Sequence, residues 1–450
     1  MNTHNQTTFS TPMDSVLEFA DGIFREHLLE ISFLYEQRLA LLDDPKFPWL
    51  DIADFEHRLE PHLSALSEGG EQALELCKQQ AIESDFGELY GALCVFCRQN
   101  HFDLVMSTIK AVDLADEQKQ QAIINALKHE SLPEWENEFK KLCASKNPFE
   151  VSLAAEVLGF QRRESGPELL KALEKSDLIA ASKLIWALGR IEYQAAKPLL
   201  LTFLFQKDET LASQAALALL RMGDSQVIDE CLRQALTHTW PLVLLAVSAG
   251  PEALDVLLQH ATIEEHCPDS LLALGLFGAT EAIPILLSQF STDMAEQAAL
   301  SLNLITGADL YEDIFVPEPI DEDALFDHEK EKLSRGEPLY APGEQPGETV
   351  TRLSQNPELW QNWWEQNQNH FAYGIRYRHG RLFSLSCLLQ TLESEKSPRF
   401  LRQWAYEEWV IRYGANFPFE IDMFTNNQKQ TMAAYAQWLE NNQTKFQAGK

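Results

Sequence analysis

The stretch Ala181-Ser182-Lys183-Leu184-Ile185-Trp186-Ala187-Leu188-Gly189 contains the pattern that decides the fold. Its glycine follows apolar residues placed 8, 5, 4 and 1 positions earlier, and this spacing puts them on one face of a helix. Glycine suits the left-handed residue that ends a helix, so the pattern predicts an amphipathic helix that ends at its glycine. The chain contains six copies of the pattern, and their closing glycines are Gly159, Gly189, Gly223, Gly250, Gly278 and Gly307.

The spacing of these glycines indicates the architecture. They stand 30, 34, 27, 28 and 29 residues apart, which is about one helical hairpin per copy. A period of roughly 20–50 residues is typical of solenoids, in which each hairpin buries its apolar face against its neighbours. Pro198 and Pro284 stand early in second helices, where a missing amide hydrogen is tolerated. No segment alternates with the period of a strand, so we predict an all-α chain, an α-solenoid with almost no sheet.

Composition divides the chain into regions. Between Tyr311 and Val350 the helical pattern disappears, and twelve acidic residues accompany three basic residues and five prolines. Such a segment is typical of an extended or mobile linker. The predicted regions are a disordered tail (1–13), N-terminal helices with degenerate repeats (14–145), regular repeats (146–310), an acidic proline-rich linker (311–350) and an aromatic-rich helical C-terminal unit (351–450).

The net charge of −32 limits the possible partners. The chain has 36 basic and 68 acidic residues, and nucleic-acid binding depends on neutralising phosphates with lysine and arginine. We therefore expect no nucleic-acid partner, and an anionic membrane surface is disfavoured for the same reason. Two interpretations of the charge stay open: it keeps the protein soluble, or it attracts a basic partner.

The cysteines and the N-terminus predict the compartment. The seven cysteines, at positions 77, 94, 97, 143, 231, 267 and 387, are odd in number and scattered through predicted helices. Residues 1–13 lack the pattern of a secretory signal, and no apolar run approaches the roughly 18 residues that cross a bilayer. These features predict reduced thiols, a cytoplasmic location and no membrane insertion.

Candidate catalytic or metal-binding groups are few. Cys94 and Cys97 have the spacing of a zinc or redox pair, but no second pair accompanies them, so we interpret them as small core residues. The dipeptides Glu26-His27 and Glu56-His57 are interpreted as polar residues between packed helices rather than as an acid–base pair. There is no glycine-rich phosphate loop and no nucleophile elbow. We therefore predict no enzymatic activity, no metal and no cofactor.

A short basic segment is the candidate binding site. Arg376, Arg378 and Arg381 lie within six residues, beside Tyr377 and the preceding aromatic pair Trp363 and Trp364. Aromatic faces stack on guanidinium groups, which also match carboxylates in two-point geometry. One interpretation is a site for an acidic segment of a partner. The other is that these arginines hold the protein's own acidic linker or the C-terminal ends of nearby helices, and the abundance of local acid favours it.

Three parts of the sequence carry a resemblance to known proteins. The repeats resemble HEAT-like repeats of the short type named after phycobilisome lyases. The segments Glu26-His27-Leu28-Leu29-Glu30-Ile31-Ser32-Phe33-Leu34-Tyr35-Glu36-Gln37-Arg38 and Gly374-Ile375-Arg376-Tyr377-Arg378-His379-Gly380-Arg381-Leu382 are similar to an uncharacterised bacterial family of HEAT-repeat proteins encoded in type VI secretion gene clusters. The resemblance implies a cellular setting and no chemistry.

Together these observations predict a non-catalytic protein-interaction scaffold, or an assembly or regulatory accessory, of a bacterial type VI secretion system. Its partner would be a protein, in this setting a component of the secretion system, and no oligomeric state is predicted. The alternatives are an enzyme of the bilin-lyase kind or another HEAT-repeat enzyme, which would need a pocket with placed polar residues, and a DNA-binding HEAT protein, which would need a basic face.

Overall fold

The structure, a computed structural model, describes residues 12–44, 47–263, 267–321, 325–340 and 345–447, without the side chains of 12–17, 267 and 443–447. A disordered tail is predicted for residues 1–13, and residues 1–11 of it lie outside the described residues. The chain forms two compact units, one from Met1–Arg233 with Leu385–Lys450 and one from Gln234–Ser384. The boundaries predicted from composition, at 310 and 350, differ from this division.

The regular secondary structure of the described residues in the first unit is entirely helical. Its helices are α1 (Pro12–Asp43), α2 (Ile52–Glu68), α3 (Gly70–Glu83), α4 (Phe86–Arg98), α5 (Phe102–Ala111), α6 (Glu117–Glu130), α7 (Glu136–Leu142), α8 (Pro148–Phe160), α9 (Gly166–Leu173), α10 (Leu178–Arg190), α11 (Lys197–Phe203), α12 (Glu209–Arg221) and α13 (Gln226–Gln234). The second unit has α14 (Pro241–Ser248), α15 (Leu254–His260), α16 (Cys267–Phe277), α17 (Ile283–Ser288), α18 (Ala295–Thr306), α19 (Asp327–Ser334) and α20 (Pro357–Asn367), with strands β1 (Tyr311–Pro317), β2 (Gly347–Leu353), β3 (Tyr377–Arg378) and β4 (Arg381–Leu382). The chain then returns to the first unit with α21 (Leu385–Glu393), α22 (Arg399–Tyr413) and α23 (Thr425–Gln447).

The repeat pattern forms the core of the helical hairpins. Every residue of the six predicted stripes is buried, including the polar members Ser270, Asn303 and Thr306 of the last two copies. First helices of consecutive hairpins pack on each other, as α8 does on α10, α10 on α12, and α16 on α18. The chain is therefore an α-solenoid of helical hairpins, as the periodicity predicts.

The closing glycines take two different roles. Gly223, Gly278 and Gly307 have φ of 75°, 80° and 59°, the left-handed conformation that the sequence predicts. Gly159 and Gly189 do not, because α8 and α10 continue through them. The prediction of a helix-ending glycine is wrong at these two positions. Gly250 follows the end of α14 but has φ of −89°, so the predicted left-handed conformation is also absent there.

Close packing of neighbouring helices explains Gly159 and Gly189. A Cβ atom on Gly159 would lie 2.9 Å from the Cα atom of Ala187, and one on Gly189 would lie 2.9 Å from the Cα atom of Ala218. Neither distance is compatible with a side chain at the present spacing. These two glycines therefore set how closely α8, α10 and α12 approach.

The segment predicted to be a linker contains a strand at each end. β1 and β2 pair antiparallel, with Tyr311 opposite Leu353 and Pro317 opposite Gly347. The Glu312 carboxylate accepts hydrogen bonds from Ser354 Oγ (2.8 Å) and from the Gln355 amide (3.2 Å). The structure thus differs from the expectation of an extended linker, because apolar residues such as Ile314 and Val350 pair across the strands. Between the strands, α19 has no buried residue.

Candidate interaction surfaces

The segment with the three arginines caps helices of the second unit. Arg376 Nε donates to the carbonyl oxygen of Phe277 (2.6 Å), and Arg378 Nη2 donates to that of Leu276 (2.6 Å). These carbonyls belong to the last turn of α16, where the helix itself supplies no donors. The Tyr377 amide also donates to the carbonyl oxygen of Gly278 at 2.7 Å.

The same segment continues to the end of the next first helix, α18. The amides of His379 and Gly380 donate to the carbonyl oxygens of Leu304 (2.7 Å) and Ile305 (3.0 Å). Burial, together with the charge of Arg378, lowers the pKa of His379 to about 4, so the imidazole is neutral near pH 7 and adds no positive charge. The geometry is that of the second interpretation, in which the segment holds helix ends.

The predicted aromatic residues form a cluster behind this cap. Trp363 and Trp364 are half-buried and contact Phe371, with ring centroids 6.2 and 5.4 Å apart, and Phe371 contacts Tyr377 at 4.9 Å. Tyr377 is buried, and its hydroxyl accepts a hydrogen bond from the Ala372 amide at 2.8 Å. Arg378 is only 1% exposed, whereas Arg381 faces solvent. Of the three arginines, Arg378 is buried, Arg376 is half-buried and Arg381 is exposed.

A second arginine cluster, which sequence analysis missed, lies in the first unit. Arg190 Nη1 lies 2.7 Å from Glu407 Oε1, and Arg221 Nη1 lies 2.5 Å from Glu407 Oε2. Arg162 Nη2 donates to Glu420 Oε1 at 2.9 Å, and Arg190 Nη2 donates to Glu420 Oε2 at 3.1 Å. We call Arg162, Arg190 and Arg221 the arginine ladder, because they come from the ends of three consecutive first helices.

The ladder binds carboxylates that the protein itself supplies. Although burial alone would raise the pKa of Glu407, Arg190 and Arg221 lower it to about 2. Glu407 lies on α22 and Glu420 lies between α22 and α23, so the ladder attaches the C-terminal helices to the repeats. Arg162 has φ of 53°, and this unusual left-handed conformation places its side chain within reach of Glu420. The sequence signal was an arginine within three residues of the closing glycine in three consecutive copies, with Arg162 near Gly159, Arg190 near Gly189 and Arg221 near Gly223.

A neighbouring cluster attaches the start of α23. Arg38 Nε donates to Glu56 Oε1 at 2.9 Å, and Glu56 Oε2 accepts from the Thr425 amide at 2.7 Å. Lys128 pairs with the Asp422 carboxylate, and Arg38 Nη2 donates to the Asp422 carbonyl oxygen at 2.7 Å. The Glu56 carboxylate therefore joins α1 and the start of α23 to α2, and its two oxygens are engaged by Arg38 and the Thr425 amide.

The residues considered for catalysis have structural contacts. Cys94 and Cys97 are fully buried in α4, and burial raises the pKa of both thiols well above the usual value. His27 Nδ1 lies 2.9 Å from His62 Nδ1. Among the residues that the structure describes, no group of three histidine, cysteine, aspartate or glutamate side chains is placed to hold a metal. Within those residues no helix is both long and apolar enough to span a membrane.

Helix α1 presents an exposed apolar face in the first unit. Phe19 is 71% exposed, Ile23 37%, and Leu29 and Phe33 52% each. We call these four residues the α1 ridge. Buried residues of α1, such as Leu28, Ile31, Leu34 and Tyr35, point to the opposite side of the helix.

Comparison with known proteins agrees with this architecture. The family model of HEAT repeats matches residues 166–249, which supports a HEAT-repeat protein. A comparison with curated proteins finds no match. One solved structure, an engineered protein from the Northeast Structural Genomics Consortium, is 13% identical and covers 86% of this chain and 88% of its own, with a TM-score of 0.30. That likeness is too weak for any structural argument, whereas HEAT repeats commonly mediate protein–protein interaction.

Proposed function

We propose that the protein is a non-catalytic interaction scaffold, or an assembly or regulatory accessory, that acts in the cytoplasm on a component of a bacterial type VI secretion apparatus. The repeat architecture supports the scaffold role, and the resemblance of the N-terminal and arginine-containing segments supports the setting. The observation that carries the proposal is the α1 ridge, because a helix that leaves an ordered apolar face exposed has unused binding surface.

The ridge also indicates the chemistry of the partner. Leu29 and Phe33 are one helical turn apart, as are Phe19 and Ile23, so an amphipathic helix can pack along them. The exposed carboxylates of Glu26 and Glu30 lie within the same face. A partner helix with apolar anchors and basic flanks would complement both features, in keeping with the net charge of −32.

Affinity capture from bacteria that carry a type VI secretion cluster tests this proposal. The tagged parent should capture a protein encoded in the cluster, and Leu29→Glu with Phe33→Glu should reduce capture at least about tenfold. Burial of each of these side chains contributes about 1.5–3 kcal/mol, and 1.4 kcal/mol corresponds to a factor of ten.

The matched control replaces two exposed apolar residues elsewhere, Phe205→Glu with Leu236→Glu, which are 65% and 71% exposed. This control should capture as the parent does. Equal capture by the ridge variant would exclude the ridge as the binding surface. Ridge-dependent capture in which no captured protein is encoded in the cluster would contradict the secretion setting.

A further inference from the structure

The first unit contains a basic depression that the arginine ladder and the α1 ridge do not include. It has a volume of about 550 Å³ and lies among α7, the start of α8, α9 and the start of α10. Four lysines line it, and so do two acidic residues, Glu168 and Asp177. We call this depression the lysine groove, with Lys140, Lys146, Lys171 and Lys175 as its defining residues.

The lining of the groove carries more positive than negative charge, with four lysines against the carboxylates of Glu168 and Asp177. Lys140 Nζ pairs with Glu136 Oε1 at 2.7 Å, but Lys146, Lys171 and Lys175 are exposed, and no described residue forms an ion pair with any of the three. The Asp177 carboxylate accepts a hydrogen bond from the Ala180 amide at 3.0 Å and so serves as the cap of α10. Three free ammonium groups around one depression contrast with a chain whose net charge is −32.

The floor of the groove is apolar. Cys143, Val151, Ala172 and Ala180 line it and are buried. Next to Asp177 in the chain, the first two residues of α10, Leu178 and Ile179, are 64% and 75% exposed. The groove therefore combines a small apolar floor with a basic rim, and its volume lies in the range of roughly 300–1,000 Å³ that ligand pockets occupy.

These features define the chemistry of an occupant. Lysine ammonium groups are mobile point charges that tolerate many carboxylate positions, unlike the fixed fork of arginine. They suit an extended segment with several carboxylates better than a single bound carboxylate. We propose that the lysine groove binds an acidic segment of a partner protein, with one aliphatic or aromatic side chain placed on the apolar floor.

This inference rests on the proposed scaffold function, since it gives the scaffold a second partner chemistry. The α1 ridge suits a basic helix, whereas the groove suits an acidic segment. A protein with both surfaces can hold two partners of opposite charge on one compact unit.

Fluorescence anisotropy of the purified full-length protein tests the inference without reference to any secretion cluster. The probe is a fluorescein-labelled peptide of alternating glutamate and leucine. It should bind the parent, with an affinity that falls as salt is added, because exposed charges are screened over about 10 Å at 0.1 M. Replacement of all glutamates by glutamine should remove most of the binding.

Two triple variants of the groove give the sharpest comparison. Lys146→Glu with Lys171→Glu and Lys175→Glu should weaken peptide binding at least about tenfold, because three favourable charge pairs become repulsive. The corresponding Lys→Arg triple variant keeps the charge and should bind within about threefold of the parent. The Lys→Glu matched control at three other exposed lysines, Lys110, Lys207 and Lys330, has the same net charge as the first variant and should bind nearly as the parent does.

Three results would each overturn the inference. The first is equal weakening by the groove and control variants, which would mean that only net charge matters. The second is equally tight binding of the glutamine peptide. The third is tighter groove-dependent binding of a single-stranded oligonucleotide than of the acidic peptide. Loss of partner capture in cells would contradict the proposed function alone and would leave the peptide result standing.

Discussion

Glu407 connects the two chain segments of the first unit, Met1–Arg233 and Leu385–Lys450. It is fully buried, yet it stays ionised because Arg190 and Arg221 come from consecutive repeats and face its two oxygens. Removing one partner of such a pair leaves a buried charge unpaired, which costs about 3–5 kcal/mol. The ladder is therefore an attachment for the C-terminal helices rather than an open site for a partner.

The stability that Glu407 contributes should depend on pH. Its pKa in the folded protein is about 2, below the ordinary value of 4.5, so its contribution is complete above about pH 4.5 and is lost as the pH falls toward 2. At pH 7 we expect Glu407→Gln to lower the free energy of unfolding by about 3–5 kcal/mol. Urea unfolding at pH 3 should show that this difference in the free energy of unfolding between the parent and the variant is about half as large. A gap that is the same at both pH values would contradict this account.

The arginines near β3 and β4 should differ from one another. Arg376→Ala with Arg378→Ala should destabilise the second unit by about 1.5–3 kcal/mol per lost hydrogen bond, because both side chains donate to carbonyl oxygens of α16. Arg381→Ala should leave thermal unfolding unchanged, because Arg381 is exposed. Differential scanning calorimetry of the two variants measures this. Parent-like melting of the double variant would restore the interpretation of the patch as a binding site.

At the scale of elements, periodicity predicted most of the fold. The six stripes are buried as their spacing requires, because the offset of three or four residues alone determines which side of a helix meets its neighbour. The strands β1 and β2 could not be predicted, because they pair residues between 30 (Pro317 and Gly347) and 42 (Tyr311 and Leu353) positions apart and each is short. The arginine ladder was missed for the same reason, since Glu407 and Glu420 lie about two hundred residues from their partners.

Gly159 gives a test of how closely the helices pack. Gly159→Ala should lower the free energy of unfolding by about 1–3 kcal/mol, because its Cβ would lie 2.9 Å from the Cα of Ala187. Gly22→Ala in α1, where nothing lies within 4 Å of the added atom, should instead be neutral or stabilising by up to about 1 kcal/mol. Urea unfolding of both variants makes the comparison. An equally stable Gly159 variant would mean that the close approach is not required.

The connection between β1 and β2 should be the first site of proteolysis. Residues 318–346 contain α19, which has no buried residue, so little packing opposes local opening. Brief protease treatment followed by mass spectrometry should locate the first cut there. The nicked protein should stay together on a native gel, because β1 and β2 remain paired. A first cut within the repeats at 166–249 would contradict this prediction.

Over the whole molecule, the charged residues serve different purposes in different places. The net charge is −32, yet the ladder uses its arginines internally and the lysine groove keeps three lysines without an ion pair among the described residues. The α1 ridge adds an apolar surface whose face also carries the exposed carboxylates of Glu26 and Glu30. A scaffold with one acidic apolar surface and one basic groove can select its partners by charge as well as by shape.

In the proposed function, the protein acts by binding a partner on the α1 ridge. Hydrogen–deuterium exchange of the purified protein, alone and with its captured partner, tests this most directly. When the partner buries Phe19, Ile23, Leu29 and Phe33, exchange of the α1 amides should slow by at least about tenfold. In the free protein these side chains are exposed, so packing contacts on only one face of α1 resist local opening of the helix. Unchanged exchange in α1, with protection confined to other helices, would contradict the claim.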